Sequence, residues 1–312
     1  MKIFYEFSEI RKDENTFLTI GSFDGIHLGH REIINRIIEK ASRNSGRSFL
    51  ITFDPHPRSI LSKSSDVKIL TTLREKSMLL DSMRIQNLLV IKFTKEFSQI
   101  SAEDFILNYI IKFIGLKEIV IGHDHHFGKG RGGDENILRK LGKENNFEVS
   151  AVGAYKLNDK TVSSSEIRKS LTEGNIKLTA SYLGRYYSFS GTVVEGDRRG
   201  RDLGFPTANI KLEDEHKMLP ALGVYAVEFI IDDNKYSGLL SVGKRPTFYE
   251  DGIVIPEVYI YDFNKDIYGK FVTVNIIEMI RGEIKYNSAE ELIEQMNKDK
   301  ELGLEILNKF VE

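Results

Sequence analysis

Two different patterns of apolar and polar residues divide the chain. In the first half, short runs of β-branched and aromatic residues alternate with amphipathic stretches, in which apolar residues recur three and four positions apart. The runs predict strands at residues 17–20, 48–53, 88–93, 118–121 and 147–152. The amphipathic stretches predict helices at residues 30–43, 73–83, 102–114 and 135–145. Strands that alternate with single helices indicate an α/β domain with a doubly wound parallel sheet, in which ligands bind beyond the carboxyl ends of the strands.

From residue 187 onward, strand patterns follow one another without helices between them. They cover residues 187–194, 224–231, 235–242, 257–263 and 270–277, and Asp232-Asp233-Asn234 is a hairpin signal between two of them. We expect a small antiparallel β-barrel or sandwich, followed by a helix at residues 288–310. Helical periodicity ends near residues 183–186, so we place the two domains at residues 1–185 and 186–312.

Composition and charge restrict the functional class. The chain has 312 residues, 41% of them apolar, which is more than a single core usually accommodates. Its 44 Lys and Arg are balanced by 46 Asp and Glu, so no overall positive field attracts nucleic acid. There is no cysteine, no signal-peptide pattern and no apolar run near the roughly 20 residues of a membrane span. We therefore expect a cytoplasmic protein that binds neither nucleic acid nor membranes.

A glycine-rich segment with two histidines follows the first strand and leads into the first helix. Its sequence is Gly21-Ser-Phe-Asp-Gly-Ile-His-Leu-Gly-His30. Glycines permit close approach of the backbone, the new helix offers unpaired N–H groups at its positive end, and His27 and His30 are three residues apart. This pattern predicts a phosphate site in which imidazoles stabilise charge as a phosphorus–oxygen bond breaks. The alternative is a glycine-rich turn with two surface histidines.

A second candidate oxyanion site is the segment Val162-Ser-Ser-Ser-Glu-Ile-Arg168. It supplies three hydroxyls and a guanidinium at the predicted start of a helix. Ser163 could equally be a helix N-cap, with Glu166 completing a capping box. Taken alone, the segment leaves both interpretations open.

In the second half, residues 190–209 begin as a strand and continue as a loop rich in glycine and arginine. The loop ends in Pro206-Thr207-Ala208-Asn209, which puts a hydroxyl and an amide on one side of an extended segment. Both are oxygen ligands suited to Mg²⁺ carrying ATP, although this tetrapeptide alone is more often a capped turn. Arg198, Arg199 and Arg201 either stay solvated or belong to a flap that closes over substrates.

The histidine segment, with its HxGH core, and residues 163–168 resemble the two signatures of the HxGH nucleotidyltransferase superfamily. Further motifs narrow the resemblance to the FMN adenylyltransferase module of bacterial bifunctional FAD synthetases: Phe53-Asp-Pro-His-Pro57, Ile121-Gly-His-Asp-His-His-Phe-Gly128 and Arg131-Gly-Gly-Asp134. The resemblance implies a Rossmann-like domain with a flavin site at Asp124, His125, His126 and Phe127. It implies that His27, His30 and Arg168 are catalytic and that they bind ATP together with Gly21, Phe23, Asp24, Gly25, Ser164 and Ser165.

Residues 191–209 resemble the signature of riboflavin kinases. Five further segments follow in the order of that family: residues 223–225, 241–248, 257–263, 267–269 and 281–283. The resemblance implies a six-stranded barrel in which Gly191, Thr207 and Asn209 bind ATP. Thr207 and Asn209 would hold its Mg²⁺, and Glu257 would act as general base, although a strand-edge glutamate facing water is its plain structural alternative. Arg281 either lies over the flavin or pairs with Glu283 or Glu290.

The chain departs from the family pattern at two places. Serine stands at Ser165 where the family commonly has threonine, which keeps the hydroxyl. His125 and His126 stand where the family usually has an aromatic and a basic residue. With His123 and Asp124 these histidines superficially resemble a metal cluster. We favour a substrate loop in which the two imidazoles replace the aromatic–basic pair against FMN.

The resemblance as a whole implies a bifunctional enzyme of FAD biosynthesis. The second domain would transfer phosphate from ATP to riboflavin, giving FMN and ADP, and the first would join FMN to the adenylyl group of ATP, giving FAD and pyrophosphate. We expect Mg²⁺ as the cofactor and a monomer or weak homo-oligomer. The alternatives are one inactive half, a flavin-binding regulatory protein without turnover, or a different phosphorylated acceptor in the first domain.

Overall fold

The computed structural model describes residues 1–62, 67–196, 204–244 and 254–311. The chain forms two compact units, Met1–Ser164 and Ser165–Glu312. The first unit contains a parallel sheet, and the second contains a closed barrel. In the sequence, helix α6 (Ser164–Thr172) begins at this division, and helix α7 (Ile176–Leu183) follows it before the first barrel strand. The domain boundary between residues 185 and 186 stays a prediction.

The first unit is built on a six-stranded sheet in which every pair of neighbours is parallel. The strand order is β1-β4-β3-β2-β5-β6. This confirms the predicted doubly wound α/β fold, and all five predicted strands form, with bounds shifted by one residue at most at either end. The sixth strand, β1, escaped prediction because three residues are too few to show alternation. The strands are β1 Lys2–Phe4, β2 Thr16–Ile20, β3 Arg47–Asp54, β4 Asn87–Lys92, β5 Glu118–Gly122 and β6 Glu148–Val152.

Alternate residues of the central strands are buried on opposite faces of this sheet. Leu18 and Ile51 belong to one apolar cluster, whereas Phe17 and Leu50 belong to the other. Strand β2 is buried along its whole length, as expected for a parallel strand covered on both faces. The central strands thus offer their ends, and not their faces, to polar ligands.

The helices of the first unit follow the predicted positions, with one change of type. The predicted helix at 102–114 begins as α4 and continues as π-helical turns over Phe105–Ile114. These turns end where the Gly115 N–H donates to the Ile110 carbonyl, five residues back. The short helix α2 and the two-stranded hairpin formed by β7 and β8 were not predicted. The α-helices are α1 Leu28–Arg43, α2 Pro57–Leu61, α3 Leu73–Ser82, α4 Ala102–Asp104 and α5 Glu135–Asn145, and the hairpin strands are β7 Lys156–Leu157 and β8 Lys160–Thr161.

The second unit is built on a closed barrel of six antiparallel strands. The barrel form of the prediction is thus confirmed. Five of its strands were predicted, and the sixth, β10, lies where the sequence showed the end of a glycine-rich loop. In spatial order the strands run β10-β13-β12-β11-β14-β9. They are β9 Tyr187–Val194, β10 Thr207–Leu212, β11 Gly223–Ile231, β12 Asn234–Lys244, β13 Val254–Ile260 and β14 Phe271–Gly282.

The predicted hairpin at Asp232-Asp233-Asn234 is confirmed. Ile231 pairs with Asn234, so Asp232 and Asp233 form a two-residue loop. Their φ angles are 47° and 62°. Positive φ at both positions is the geometry of a type I′ turn, which asparagine and aspartate tolerate better than most residues.

The last helix, α8 (Ala289–Val311), packs on the barrel and forms a separate apolar cluster with it. Leu307 is buried in a cluster with Ala226, Leu239, Tyr261 and Ile277. The Tyr261 hydroxyl donates to the Lys300 carbonyl at 2.7 Å, which ties the helix to β13 and the turn after it. Within the described ranges, no helix has both the length and the apolar character needed to cross a membrane.

Candidate active sites

The two histidines of the predicted phosphate segment lie side by side at the start of α1. His27 is the N-cap of this helix, and its Nδ1 accepts a hydrogen bond from the His30 N–H at 3.3 Å. The two rings stack with their centroids 3.7 Å apart and their planes 19° apart. His27 is buried. The two imidazoles thus meet at the positive end of a helix, which is suited to an anion. Their stacking and the burial of His27 distinguish this turn from a glycine-rich turn with two surface histidines.

The backbone between β2 and α1 has an unusual conformation. Phe23 and Ile26 have φ angles of 45° and 39°, and Gly25 has 89°. Glycine adopts such angles freely, but for bulky residues they are strained. The strain at Phe23 and Ile26 must be balanced by contacts from outside the loop.

These contacts come from the segment that leads into α3. The Asp24 carboxylate accepts hydrogen bonds from the Leu70 and Thr71 N–H groups at 2.9 and 3.1 Å. In return, the Gly25 N–H donates to the Thr71 hydroxyl at 3.1 Å. Asp24 is only 2% exposed. Its carboxylate therefore braces the loop, and its predicted contact with ATP stays a prediction.

The second predicted phosphate element begins at the same loop. The Ser164 hydroxyl donates to the Asp24 carbonyl at 2.9 Å. Helix α6 begins at Ser164, as the sequence predicted for this segment. Ser165 and Arg168 stand one and four residues further along this helix, in the second compact unit.

A cleft of about 820 Å³ opens at the carboxyl ends of β2, β3 and β5. It is lined by Gly21 and Phe23 of the phosphate loop, by His30 of α1 and by residues that follow β3 and β5. Five further phenylalanines line the cleft, most of them in edge-to-face contact: Phe53, Phe93, Phe97, Phe105 and Phe127. A concave site with an apolar, aromatic wall and a few polar groups is typical of small-molecule binding.

All four residues of the predicted flavin loop line this cleft. The His125 ring stacks on Phe127 with a centroid distance of 5.4 Å. Its Nε2 is buried without a hydrogen-bond partner among the residues that the structure describes. Burial lowers the pKa of His125 to about 4, and the nearby His126 and Arg131 act in the same direction, against Asp124. The imidazole is therefore neutral near pH 7 and adds no charge to the wall of the cleft.

The loop does not assemble a metal site. In the described part of the chain, no three His, Asp or Glu side chains are grouped so that they could hold a metal ion. His123 Nδ1 and Asp124 Oδ1 lie 3.8 Å apart, and both side chains are largely exposed. The assignment of a substrate loop stays a prediction.

Two glycines allow this loop to pack closely against the start of α4. The sequence did not predict this role for them. A Cβ on Gly133 would lie 2.5 Å from the Ala102 Cβ, and one on Gly128 would lie 2.7 Å from the Ala102 nitrogen. Phe127 and Gly133 form an isolated antiparallel bridge across the loop. The glycines of the motif at 131–134 were the available signal, but the surface that they contact is more than 25 residues away in the sequence.

In the second unit, the predicted metal and base residues form a cluster. Thr207 and Asn209 lie two residues apart on β10, and Asn209 pairs with Glu257 of β13. The Thr207 hydroxyl donates to Glu257 Oε2 at 3.1 Å. Gly196 lies against Asn209, since a Cβ there would be 2.1 Å from the amide nitrogen. Arg198, Arg199 and Arg201 lie outside the described residues.

Two other predicted residues have structural partners. Gly191 lies in β9, where a Cβ would be 2.2 Å from the Lys211 carbonyl oxygen, so close strand packing requires glycine there. Of the two alternatives for Arg281, the pairing with Glu283 or Glu290 is not found, and contact with the flavin stays a prediction. Arg281 instead makes a bidentate ion pair with Asp299 of α8, at 2.8 to 3.0 Å, and both side chains are largely buried. Burial favours this partner, because a buried guanidinium needs a desolvated counter-charge.

Comparison with known families gives two matches, one for each part of the chain. Residues 9–166 match the family described as FAD synthetase. Residues 183–307 match the family described as riboflavin kinase.

Curated relatives resemble the chain over nearly its full length. A bifunctional riboflavin kinase/FMN adenylyltransferase of Listeria monocytogenes is 36% identical over 96% of both chains. Proteins of the same name are 38% identical in Buchnera aphidicola, over 96% of both chains, and 33% identical in Escherichia coli K12, over 92% of this chain and 91% of the other. A crystal structure titled macrolide-efflux protein, from Streptococcus pneumoniae, superposes with a TM-score of 0.87 at 30% identity and covers 97% of this chain and 98% of its own.

The low pKa of His125 makes the stability of the first unit sensitive to acid. The unfolded state binds the proton with a pKa near 6.5, and the folded state with a pKa of about 4. Between these values the unfolded state holds more protons, so stability falls as the pH falls from 6.5. We expect His125→Phe to remove part of this loss, on the order of 1 kcal/mol at pH 5.

Urea denaturation at pH 7.5, 6.0 and 5.0, followed by circular dichroism, measures this effect. His123→Phe, at an exposed position of the same loop that does not contribute to the pKa shift of His125, is the matched control and should keep the acid sensitivity of the wild type. Identical pH profiles for the wild type and His125→Phe would contradict the expectation.

Proposed function

The chain belongs to the family of bifunctional riboflavin kinase/FMN adenylyltransferases, and we propose that its two sites each carry one of the two ATP-dependent reactions. The observation that carries the proposal is that each set of motif residues is assembled. His27 stacks on His30 at the mouth of an aromatic cleft, and Thr207 and Asn209 adjoin Glu257 on neighbouring strands. A flavin-binding protein without turnover would need neither arrangement.

At the first site, we propose adenylyl transfer from ATP to FMN. His27 and His30, together with the N–H groups at the start of α1, hold the ATP phosphates and stabilise the charge that develops on the departing pyrophosphate. The loop containing Gly21, Phe23 and Gly25 lets the backbone approach the phosphates closely. The FMN phosphate attacks the α-phosphorus in line, the bond to pyrophosphate breaks, and no covalent intermediate with the protein forms.

Ser164, Ser165 and Arg168 belong to the same proposed ATP site. Ser164 supports this assignment because its hydroxyl already contacts the Asp24 carbonyl of the phosphate loop. The guanidinium of Arg168 would add a positive charge for the polyphosphate, for which its planar donor fork is well suited. Asp24 contributes by bracing the loop.

The FMN ring system is proposed to lie in the aromatic cleft beside Asp124, His125, His126 and Phe127. The cleft volume of about 820 Å³ is in the range of small-molecule sites. A flat heteroaromatic ring gains from contact with phenylalanine and imidazole faces. The neutral His125 supplies a hydrogen-bonding nitrogen at this wall without adding charge beside the flavin.

At the second site, we propose phosphoryl transfer from ATP to the ribityl 5′-hydroxyl of riboflavin. The hydroxyl must lose a proton, and Glu257 accepts it as general base. The oxygens of Thr207 and Asn209 fit Mg²⁺, a hard cation that usually takes few protein ligands and keeps water and substrate phosphates. Mg²⁺ bound there with ATP would neutralise phosphate charge. The hydrogen bond from Thr207 to Glu257 supports a base and a metal–nucleotide site in direct contact.

Three other assignments complete the proposal. Gly191, which packs closely against the neighbouring strand, is proposed to belong to the ATP site of the barrel. The Arg281 guanidinium, which its ion pair with Asp299 holds in one orientation, is proposed to contact the flavin. We propose a cytoplasmic enzyme that is a monomer or weak homo-oligomer.

Product analysis tests the proposed function as a whole. The purified chain is incubated with riboflavin, ATP and Mg²⁺, and the flavins are separated by chromatography. We expect FMN and FAD. FMN alone would indicate that the first site is inactive, and the absence of both products would contradict the assignment to two catalytic sites.

Replacement of the proposed base separates the two reactions. We expect Glu257→Gln to lower the kcat of riboflavin phosphorylation by at least about a hundredfold, because the amide cannot take the hydroxyl proton. FAD formation from added FMN should be unchanged. Glu228→Gln, at a barrel glutamate that pairs with Lys235 and Asn275, is the control and should retain kinase activity. Substantial kinase turnover in Glu257→Gln would reject the assignment.

The histidines of the cleft are expected to contribute to FMN binding. We expect His125→Ala to raise the KM for FMN in adenylyl transfer about tenfold, because the stacking surface and the buried nitrogen are both lost. His126→Ala should raise the same KM by a smaller factor, since the His126 side chain is exposed.

The control for this comparison is His123→Ala, an exposed position in the same loop that does not line the cleft. The KM for riboflavin in the kinase reaction should not change in any of the three variants. Unaltered FMN kinetics in His125→Ala would refute the proposed contact.

A further inference from the structure

A buried lysine in the first unit has no role in the chemistry proposed above. Lys76 lies on α3 and is 5% exposed. Its Nζ donates to the Ser22 carbonyl at 2.7 Å and to the Thr52 hydroxyl at 3.1 Å. Burying an ammonium group is costly, and burial lowers the pKa of Lys76, whereas the carboxylates of Asp24 and Asp54 oppose this shift. A cation in this position needs an explanation beyond packing.

The main partner of Lys76 belongs to the strained phosphate loop. Ser22 immediately precedes Phe23, which has a φ of 45°. The Ser22 carbonyl accepts from Lys76 and also from the Thr52 hydroxyl, at 3.2 Å. In a trans peptide the carbonyl and the following N–H point in opposite directions. The two donors thereby fix the direction of the Phe23 N–H, which points away from Lys76.

Four of the hydrogen bonds that hold this loop from outside involve one short segment. We call residues 70–76 the bracket. Leu70 and Thr71 hold the Asp24 carboxylate, Thr71 holds the Gly25 N–H, and Lys76 holds the Ser22 carbonyl. The bracket therefore forms hydrogen bonds with the loop on both sides of Phe23.

We propose that Lys76 is a positioning residue for adenylyl transfer: its ammonium group holds the Ser22–Phe23 peptide, and through it the loop that precedes His27, in the conformation that receives the ATP phosphates. This inference rests on the proposed function of the first site. The positive charge lies beneath a loop whose other side receives a polyphosphate, so its field acts in the same direction as that of the helix N-terminus.

A second lysine of the first unit provides a comparison. Lys40 donates to Glu118 and Ser150 and thus also joins buried polar groups. Glu118 begins β5, so this network lies at the amino ends of the parallel strands, at the opposite edge of the sheet from the cleft. Loss of Lys40 should affect stability but not the phosphate loop.

The experiment compares Lys76→Met, Lys76→Arg and Lys40→Met in the full chain. For each variant, kcat and the KM for ATP are measured for FAD formation from FMN, together with riboflavin phosphorylation and the thermal midpoint. We expect Lys76→Met to raise the KM for ATP in adenylyl transfer at least about tenfold, the effect of losing one charge-assisted hydrogen bond. Lys76→Arg should recover most of this loss, because it restores a cationic donor.

Riboflavin phosphorylation is the internal control, since its proposed residues lie in the barrel, and it should be unchanged in all three variants. Lys40→Met should lower the thermal midpoint and leave the KM for ATP at the wild-type value. A wild-type KM in Lys76→Met, or an equal rise in Lys40→Met, would overturn the proposal. If the wild type itself forms no FAD, the proposed function of the first site fails and the inference fails with it.

Thr52→Val keeps the test valid if Lys76→Met does not fold. This variant keeps the shape of a buried strand residue but removes both a donor to the Ser22 carbonyl and the hydroxyl that accepts from Lys76. We expect the KM for ATP to rise severalfold with riboflavin phosphorylation unchanged. An unaltered KM in Thr52→Val would overturn the proposal independently.

Discussion

The first site depends on a loop that could not hold its conformation alone. Phe23 and Ile26 occupy the left-handed region of φ, which is unfavourable for bulky side chains. Hydrogen bonds from the bracket to Asp24, Gly25 and the Ser22 carbonyl compensate for this strain. The conformation matters because the loop leads directly into His27, the N-cap of α1, where helix dipole and imidazoles meet.

The second site depends in the same way on the register of its strands. Thr207 and Asn209 share one face of β10, and the pairing of Asn209 with Glu257 brings the carboxylate to the hydroxyl of Thr207. A shift of one residue in either strand would turn the side chains to the opposite face of the barrel. Closure of the barrel, with Gly191 packed against the Lys211 carbonyl, fixes this register and thereby the position of Glu257, the proposed base, relative to the proposed metal ligands.

Much of the fold and of both sites could be predicted because the relevant signals are local. The alternation of strands and helices indicated the parallel sheet, and Asp232-Asp233 indicated a hairpin because both residues tolerate positive φ. The glycines and histidines at 21–30 and the tetrapeptide ending in Asn209 carry their chemistry within short segments. Arg281 shows the limit, since glutamates two and nine residues away were the candidate partners and Asp299, 18 residues away, forms the ion pair.

The sequence by itself determined the two architectures, the positions of most elements and the residues proposed to carry the chemistry, since periodicity, turn residues and motif spacing are properties of adjacent residues. Only the tertiary structure decided what holds those residues in place. Lys76 is separated from Ser22 by 54 positions, and Gly133 from Ala102 by 31, so neither contact leaves a pattern along the chain. The structure likewise decided that His125 is neutral and half-buried, because its pKa depends on burial within the folded cleft.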